Sequence, residues 1–166
     1  MSQQRHHILI SLGSNIEREL HTRAGVAALQ HYFSDVELSS VYESEAVGFT
    51  GTAFYNLVAS AHTDMSIAQV CQTLKSIERE NGRVSAEKKF APRTLDLDLL
   101  TYDQEVTAEP VVLPRDEITY NAFVLQPLAE LVPDQVHPTT KKTYADLWQS
   151  YDKSLQNLWP IKFIWS

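Results

Sequence analysis

Residues 89–100, Lys-Phe-Ala-Pro-Arg-Thr-Leu-Asp-Leu-Asp-Leu-Leu, set two carboxylates into an apolar run directly after a basic stretch. Side chains alternate faces along a strand, so Asp96 and Asp98 share one face while Leu95, Leu97 and Leu99 share the other. Two like charges this close raise each other's pKa unless a cation sits between them. Mg2+ suits the pair, because it takes one or two carboxylates and completes its shell with waters and phosphate oxygens. An edge strand with a polar outer face would give the same alternation. Arg83, Lys88, Lys89 and Arg93 favour the metal reading, since they place phosphate-binding cations within a few residues of the acids.

The elements that must position these residues follow from periodicity. Residues 7–12 form an apolar run ended by Gly13-Ser14-Asn15, which predicts a strand and a turn. Leu20, Ala24, Ala27, Ala28 and His31 recur at helical spacing and predict an amphipathic helix over 17–32. Residues 36–42 and 54–62 read as strands joined by a loop holding Gly48 and Gly51. Asp64 or Ser66 caps a second helix with the inner stripe Ile67, Val70, Cys71, Leu74 and Ile77, which Gly82 ends. Residues 83–92 read as a polar, basic loop and 94–102 as the acid-bearing strand. The order β-α-β-β-α-β predicts an α+β, ferredoxin-like sandwich, one helical layer against an antiparallel sheet. Residues 121–131 and 144–151 add C-terminal helices. No repeat, low-complexity segment or linker divides the chain, so residues 1–166 read as one domain.

Composition bounds the function classes. A chain of 166 residues can bury a substantial core, and 43% hydrophobic with 21% charged residues describes a globular protein. A formal charge of −7 argues against a nucleic-acid surface, which is usually strongly basic, although a local basic cluster can still bind a nucleotide. The single Cys71 excludes an internal disulfide, and its place on an apolar stripe predicts a buried thiol. No apolar run reaches the length of a membrane span and the N-terminus has no signal-peptide core, so a cytoplasmic location is expected.

The stretch 89–100 resembles the signature of the 6-hydroxymethyl-7,8-dihydropterin pyrophosphokinase family: a basic residue, any residue, Gly or Ala, a Pro-like residue, Arg, two residues, Asp, aliphatic, Asp, two aliphatics. Every position of that pattern is filled. The resemblance extends over about residues 7–138. Ile10-Ser11-Leu12-Gly13-Ser14-Asn15 looks like the family's first strand and turn, Ser39-Ser40-Val41-Tyr42-Glu43-Ser44 its second strand, and Phe54-Tyr55-Asn56 the start of its third. Leu113-Pro114 and residues 122–128, Ala-Phe-Val-Leu-Gln-Pro-Leu, look like its later segment. The resemblance implies the ferredoxin-like core and transfer of a pyrophosphoryl group from ATP to the hydroxymethyl oxygen of the dihydropterin. It further implies Mg2+, two ions, on Asp96 and Asp98, with Arg83 and Arg93 clamping the phosphates. ATP contacts are implied for Glu78, Leu99 and Arg115. For the pterin it implies Asn56 reading the ring edge, Phe123 stacking, Phe54 and Tyr55 walling the pocket with Phe90, and the segment around Ser44 and Val47 meeting the remaining edge.

The chain also departs from the family pattern. Where the family commonly places a His after Leu113-Pro114, this chain has Arg115, followed by Asp116. Arg115 can replace that His as a phosphate donor but not as a group that releases a proton. Asn121 stands where a basic residue is common, Ser85 where some members carry a loop Arg, and Glu45-Ala46 where a Pro pair is frequent. Two readings follow: an active pyrophosphokinase with a retuned nucleotide site, or a weak or inactive relative that binds pterin as a regulatory protein. Retention of Arg83, Arg93, Asp96 and Asp98 favours the first, since a pterin binder alone has no need of a metal pair and a phosphate clamp.

Overall fold

A computed structural model of the chain describes residues 5–15, 17–44, 54–81, 95–154 and 156–165. The elements run β1 (His6–Ser14), α1 (Arg18–Tyr32), β2 (Ser34–Leu38), β3 (Val41–Ser44), β4 (Phe54–Thr63), α2 (Ile67–Glu80), β5 (Asp96–Tyr102), a 3-10 turn (Asp116–Thr119), α3 (Ala122–Leu131), α4 (Tyr144–Ser150) and β6 (Leu158–Ile161). The strands form one six-stranded sheet in the order β5-β1-β4-β3-β6, with β2 also paired to β4, and every pairing is antiparallel. The expected ferredoxin-like core is present, and helices cover both faces of the sheet.

Alternation decides which side chains meet which helices. Ile8, Ile10 and Leu12 of β1, Leu57, Ala59 and Ala61 of β4, and Leu97 and Leu99 of β5 enter the core under α1 and α2 with Val26, Leu29, Val70, Leu74 and Ile77. Each such fully buried aliphatic contributes about 1.5–3 kcal/mol of transfer free energy. On the other face Leu9, Val58 and Leu100 pack with Ile118, Val124, Leu125, Leu128 and Tyr144. That second core stops short of the opposite end of the sheet. There the same strand face presents Ser11, Gly13, Asn56, Asp96 and Asp98 to a cavity. Close approach of α1 depends on Gly25, where a Cβ would lie 2.8 Å from Leu12 Cδ1 and 3.0 Å from Leu95 Cδ1.

Three features differ from the sequence expectation. Residues 36–42 are not one strand, because the Ser39 hydroxyl accepts the Val58 N–H at 2.9 Å and Ser40 donates both its N–H and hydroxyl to Glu130 of α3. Local hydroxyl bonding thus replaces the ladder and separates β2 from β3. The buried residues of α1 are Thr22, Gly25, Val26 and Leu29, whereas Leu20, Ala27 and His31 of the expected stripe are exposed; the acid-bearing strand lies at an edge of the sheet, with a register shift opposite Leu9 and Ile10, Leu100 packing on the α3 face and Tyr102 on the α1 face. The Cys71 thiol is only partly buried, and loss of hydration pushes its pKa up. Ser66 forms the α2 cap, in a capping box with Gln69. Among the described residues no helix is long and apolar enough to cross a membrane.

Candidate active site

The cavity, about 290 Å³, opens where the C-terminal end of β1 meets the N-terminal ends of β4 and β5, and α3 closes its side. Register builds it. Gly13 pairs with Asn56 on one side and Asp96 on the other, and Ser11 pairs with Asp98. The β1 residues facing the cavity are small, so side chains of both neighbouring strands converge over them. A Cβ on Gly13 would lie 3.0 Å from Asn56 Oδ1, which makes glycine the residue that lets the amide sit there.

One half of the cavity is an aromatic slot with an amide at its base. Phe54 and Asn56 enter from β4, Ser44 from the end of β3 and Phe123 from the first turn of α3. Asn56 is buried and donates from Nδ2 to Ser44 Oγ at 3.1 Å. That bond orients the amide plane, and the amide's second N–H and its carbonyl oxygen are the complementary pair a heterocycle edge requires. Tyr55 lies on the opposite face of β4. Its ring meets Phe163 edge-on and carries the Arg18 guanidinium 4.0 Å above it, while Arg18 bonds Glu43 at 2.7 Å.

The other half is acidic. Asp96, Asp98 and Glu117 line it, the first two half-buried on adjacent same-face positions of β5. Arg115 supplies a cation: its Nε donates to Glu117 Oε1 at 3.0 Å, and Nη2 stands 3.8 Å from Asp98 Oδ1. Burial alone would lower the Arg115 pKa, but Asp98 and then Glu117 hold it above the ordinary value. The backbone of Arg115 is fixed too, its N–H donating to Leu100 O of β5 at 3.0 Å. At the outer edge of β5 the Glu78 carboxylate accepts the Leu97 N–H at 2.8 Å, joining the end of α2 to the strand between the two aspartates. The Leu99 side chain is buried in the core beneath α2, so its main chain is what it offers a ligand.

The structure therefore gathers Ser44, Phe54, Asn56, Asp96, Asp98 and Phe123 around one cavity, brings Arg115 and Glu78 to its acidic edge, and turns Tyr55 away. Arg83, Phe90, Arg93, Val47 and Ser85 lie outside the described residues. Sequence reasoning missed Glu117 and the structural use of Gly13. Glu117 sits in an irregular turn with no periodicity to mark it; Gly13 read as a turn glycine, whereas its pairing on both sides places it inside β1.

The donor set fits a hard divalent cation. Two carboxylates on one strand face, with a third acid and open space beside them, supply the oxygens such an ion takes from protein and leave the rest of its shell for water and phosphate. Among the described residues no group of three or more His, Cys, Asp or Glu side chains is arranged to enclose a metal.

Comparison with known proteins gives a consistent answer. The model of the 7,8-dihydro-6-hydroxymethylpterin-pyrophosphokinase family matches residues 9–133. The 2-amino-4-hydroxy-6-hydroxymethyldihydropteridine pyrophosphokinase of Synechocystis is 35% identical over 163 residues, covering 96% of this chain and 82% of its own. The Bacillus subtilis protein of the same name is 38% identical over 127 residues, 74% of this chain and 75% of its own. Among solved structures, wild-type HPPK-DHPS of Plasmodium falciparum superposes with a TM-score of 0.68 at 12% identity, over 89% of this chain and 45% of that longer one, a likeness of fold. The chain belongs to the 7,8-dihydro-6-hydroxymethylpterin-pyrophosphokinase family.

Proposed function

We infer that the chain is an ATP-dependent diphosphokinase, transferring the pyrophosphoryl group of ATP to the hydroxymethyl oxygen of 6-hydroxymethyl-7,8-dihydropterin in folate biosynthesis. The observation that carries the reading is one cavity with an amide-and-aromatic half beside a half lined by Asp96 and Asp98. In the reaction the hydroxymethyl oxygen attacks the β-phosphorus, the bond from that phosphorus to the α,β-bridging oxygen breaks, AMP leaves and the hydroxyl proton is released. Such transfer depends on positioning and charge neutralisation more than on covalent help from the protein.

Asn56, oriented by Ser44, reads the pterin edge while Phe54 and Phe123 hold the ring faces. Tyr55 has no part in the pterin pocket, its ring being packed under Arg18 on the other face of β4. Asp96 and Asp98 hold Mg2+, two ions in our reading, which when bound neutralises phosphate charge and lowers the pKa of the hydroxymethyl group. Arg115 meets the phosphates from the far side of the acids, with Arg83 and Arg93 as the clamp the family signature implies. Glu78 and the main chain at Leu99 flank the nucleotide. Val47 is assigned to the pterin by the family resemblance alone. Soluble substrates of this kind fit a cytoplasmic enzyme acting within a single domain. Family membership and the preserved Asp96 and Asp98 support transfer, and no observation favours the non-catalytic reading.

The test is AMP release from Mg-ATP with and without the dihydropterin. Pterin-dependent AMP that falls about a hundredfold or more in Asp96→Asn supports the reading, on the order expected when a charge-stabilising group at the transferring phosphorus is lost. AMP release that ignores either the pterin or the substitution contradicts it.

A further inference from the structure

A continuous run of hydrogen bonds leads from the C-terminal segment to the acidic half of the cavity. Gln156 Oε1 accepts the Ala122 N–H at 2.7 Å, and Gln156 Nε2 donates to Asn121 Oδ1 at 3.1 Å. Asn121 Nδ2 donates to Glu117 Oε2 at 3.3 Å, and Glu117 Oε1 takes the Arg115 Nε–H at 3.0 Å. Two of these residues, Arg115 and Asn121, are among the positions at which the chain departs from the family pattern. Gln156 lies beyond the residues 9–133 that the family model matches.

Arg115 faces two competing anions. Its Nε is hydrogen-bonded to Glu117, whereas its Nη2 is within ion-pair reach of Asp98 but beyond hydrogen-bond length at 3.8 Å. A guanidinium released from Glu117 has Asp98 as its nearest carboxylate, and two-pronged pairing with a carboxylate is its preferred geometry. In that position it would occupy an oxygen needed by a divalent cation and point away from incoming phosphates. Glu117 is 18% exposed in its side chain and is itself held by Asn121, so it is an anchor rather than a mobile surface acid.

We propose that Glu117 is a positioning residue for the nucleotide half of the site, holding Arg115 toward the phosphates and off Asp98, with Asn121 and Gln156 bracing it from the C-terminal segment. The inference rests on the reading that Arg115 meets the phosphates. It makes the exchanges at 115 and 121 a matched pair: an arginine needs an anionic anchor, and an amide at 121 orients that anchor where a second cation would compete for it.

Calorimetric binding of Mg2+-loaded α,β-methylene ATP, and separately of the dihydropterin, tests this in the full chain with Glu117→Gln, Arg115→Ala and the double variant. Glu117→Gln keeps an acceptor for Asn121 and so preserves the local fold. Nucleotide affinity should fall about fivefold in Glu117→Gln, the upper range for a partly exposed ion pair, with pterin affinity unchanged. In the Arg115→Ala background the same substitution should change nothing. Nucleotide binding unaltered by Arg115→Ala overturns the phosphate role of Arg115 itself. Weakened binding in Arg115→Ala with none in Glu117→Gln, an equal loss in both backgrounds, or a parallel loss of pterin affinity overturns the positioning role alone.

Discussion

Gly13 shows how narrow the tolerance of the pterin half is. A Cβ there would lie only 3.0 Å from Asn56 Oδ1, and the amide is already committed to Ser44 on its other side. Replacing Gly13 with Ala should therefore push the amide out of plane or break the Ser44 bond, weakening dihydropterin binding about tenfold, the size of one misplaced hydrogen bond to a buried polar group. Mg-ATP affinity should stay the same, and paired titrations would show it; equal loss of both ligands would mean that the glycine matters only for the strand. At this scale Asp96 and Asp98 were legible in the sequence because carboxylates in an apolar strand are costly to bury without a cation, whereas Asn56 and Phe123 were pointed to by the family resemblance alone, a phenyl ring being an ordinary core residue. Glu117 was not, because a glutamate in a turn is ordinarily a solvated one, and its function depends on Arg115, Asn121 and Gln156 meeting in space.

Elements with strong periodicity were legible for the same physical reason that they fold. The stripe Ile67, Val70, Leu74 and Ile77 and the alternation through Leu95, Asp96, Leu97 and Asp98 each state a period and a buried face. The β2–β3 break was hidden because it depends on Ser39 and Ser40 finding Val58 and Glu130. Strand β6 was hidden because Leu158-Trp159-Pro160-Ile161 contains a proline, which speaks against a strand except at a sheet edge; β6 occupies that edge, paired with β3 up to Ser44. The turn before α4 carries its own pH sensitivity. His137 is buried, and its Nδ1 accepts the N–H groups of Thr139 and Thr140 at 3.2 and 3.1 Å. Burial holds its pKa below the ordinary 6.5. The unfolded chain then takes up the proton first, so stability is full above about pH 6.5 and declines as the pH falls, at up to about 1.4 kcal/mol per unit for one group. His7, depressed by burial and by His62, acts in the same direction. His137→Asn, which keeps an acceptor for the two N–H groups, should flatten part of the acid side of a stability profile measured by urea unfolding between pH 7 and pH 5. A profile of unchanged slope would show that His137 is protonated in the fold.

Seen as a whole, the molecule divides its sheet into a packed end and a working end. Leu9, Val58 and Leu100 close one end under α3 and α4, and two to four residues along the same strands Ser11, Gly13, Asn56, Asp96 and Asp98 line the cavity. The net charge of −7 conveys none of this, because the proposed polyphosphate site would depend on a few cations placed beside acids rather than on the overall balance. The C-terminal segment, past the residues 9–133 that the family model matches, contributes an edge strand and the hydrogen bonds of Gln156 to Asn121 and Ala122. The claim on which the account stands is transfer of two phosphoryl units together, and the fate of label from [γ-32P]ATP in a single turnover with the dihydropterin tests it most directly. The account predicts label in the pterin product in equal amount to unlabelled AMP; label in the pterin together with ADP, or in free phosphate, would contradict it.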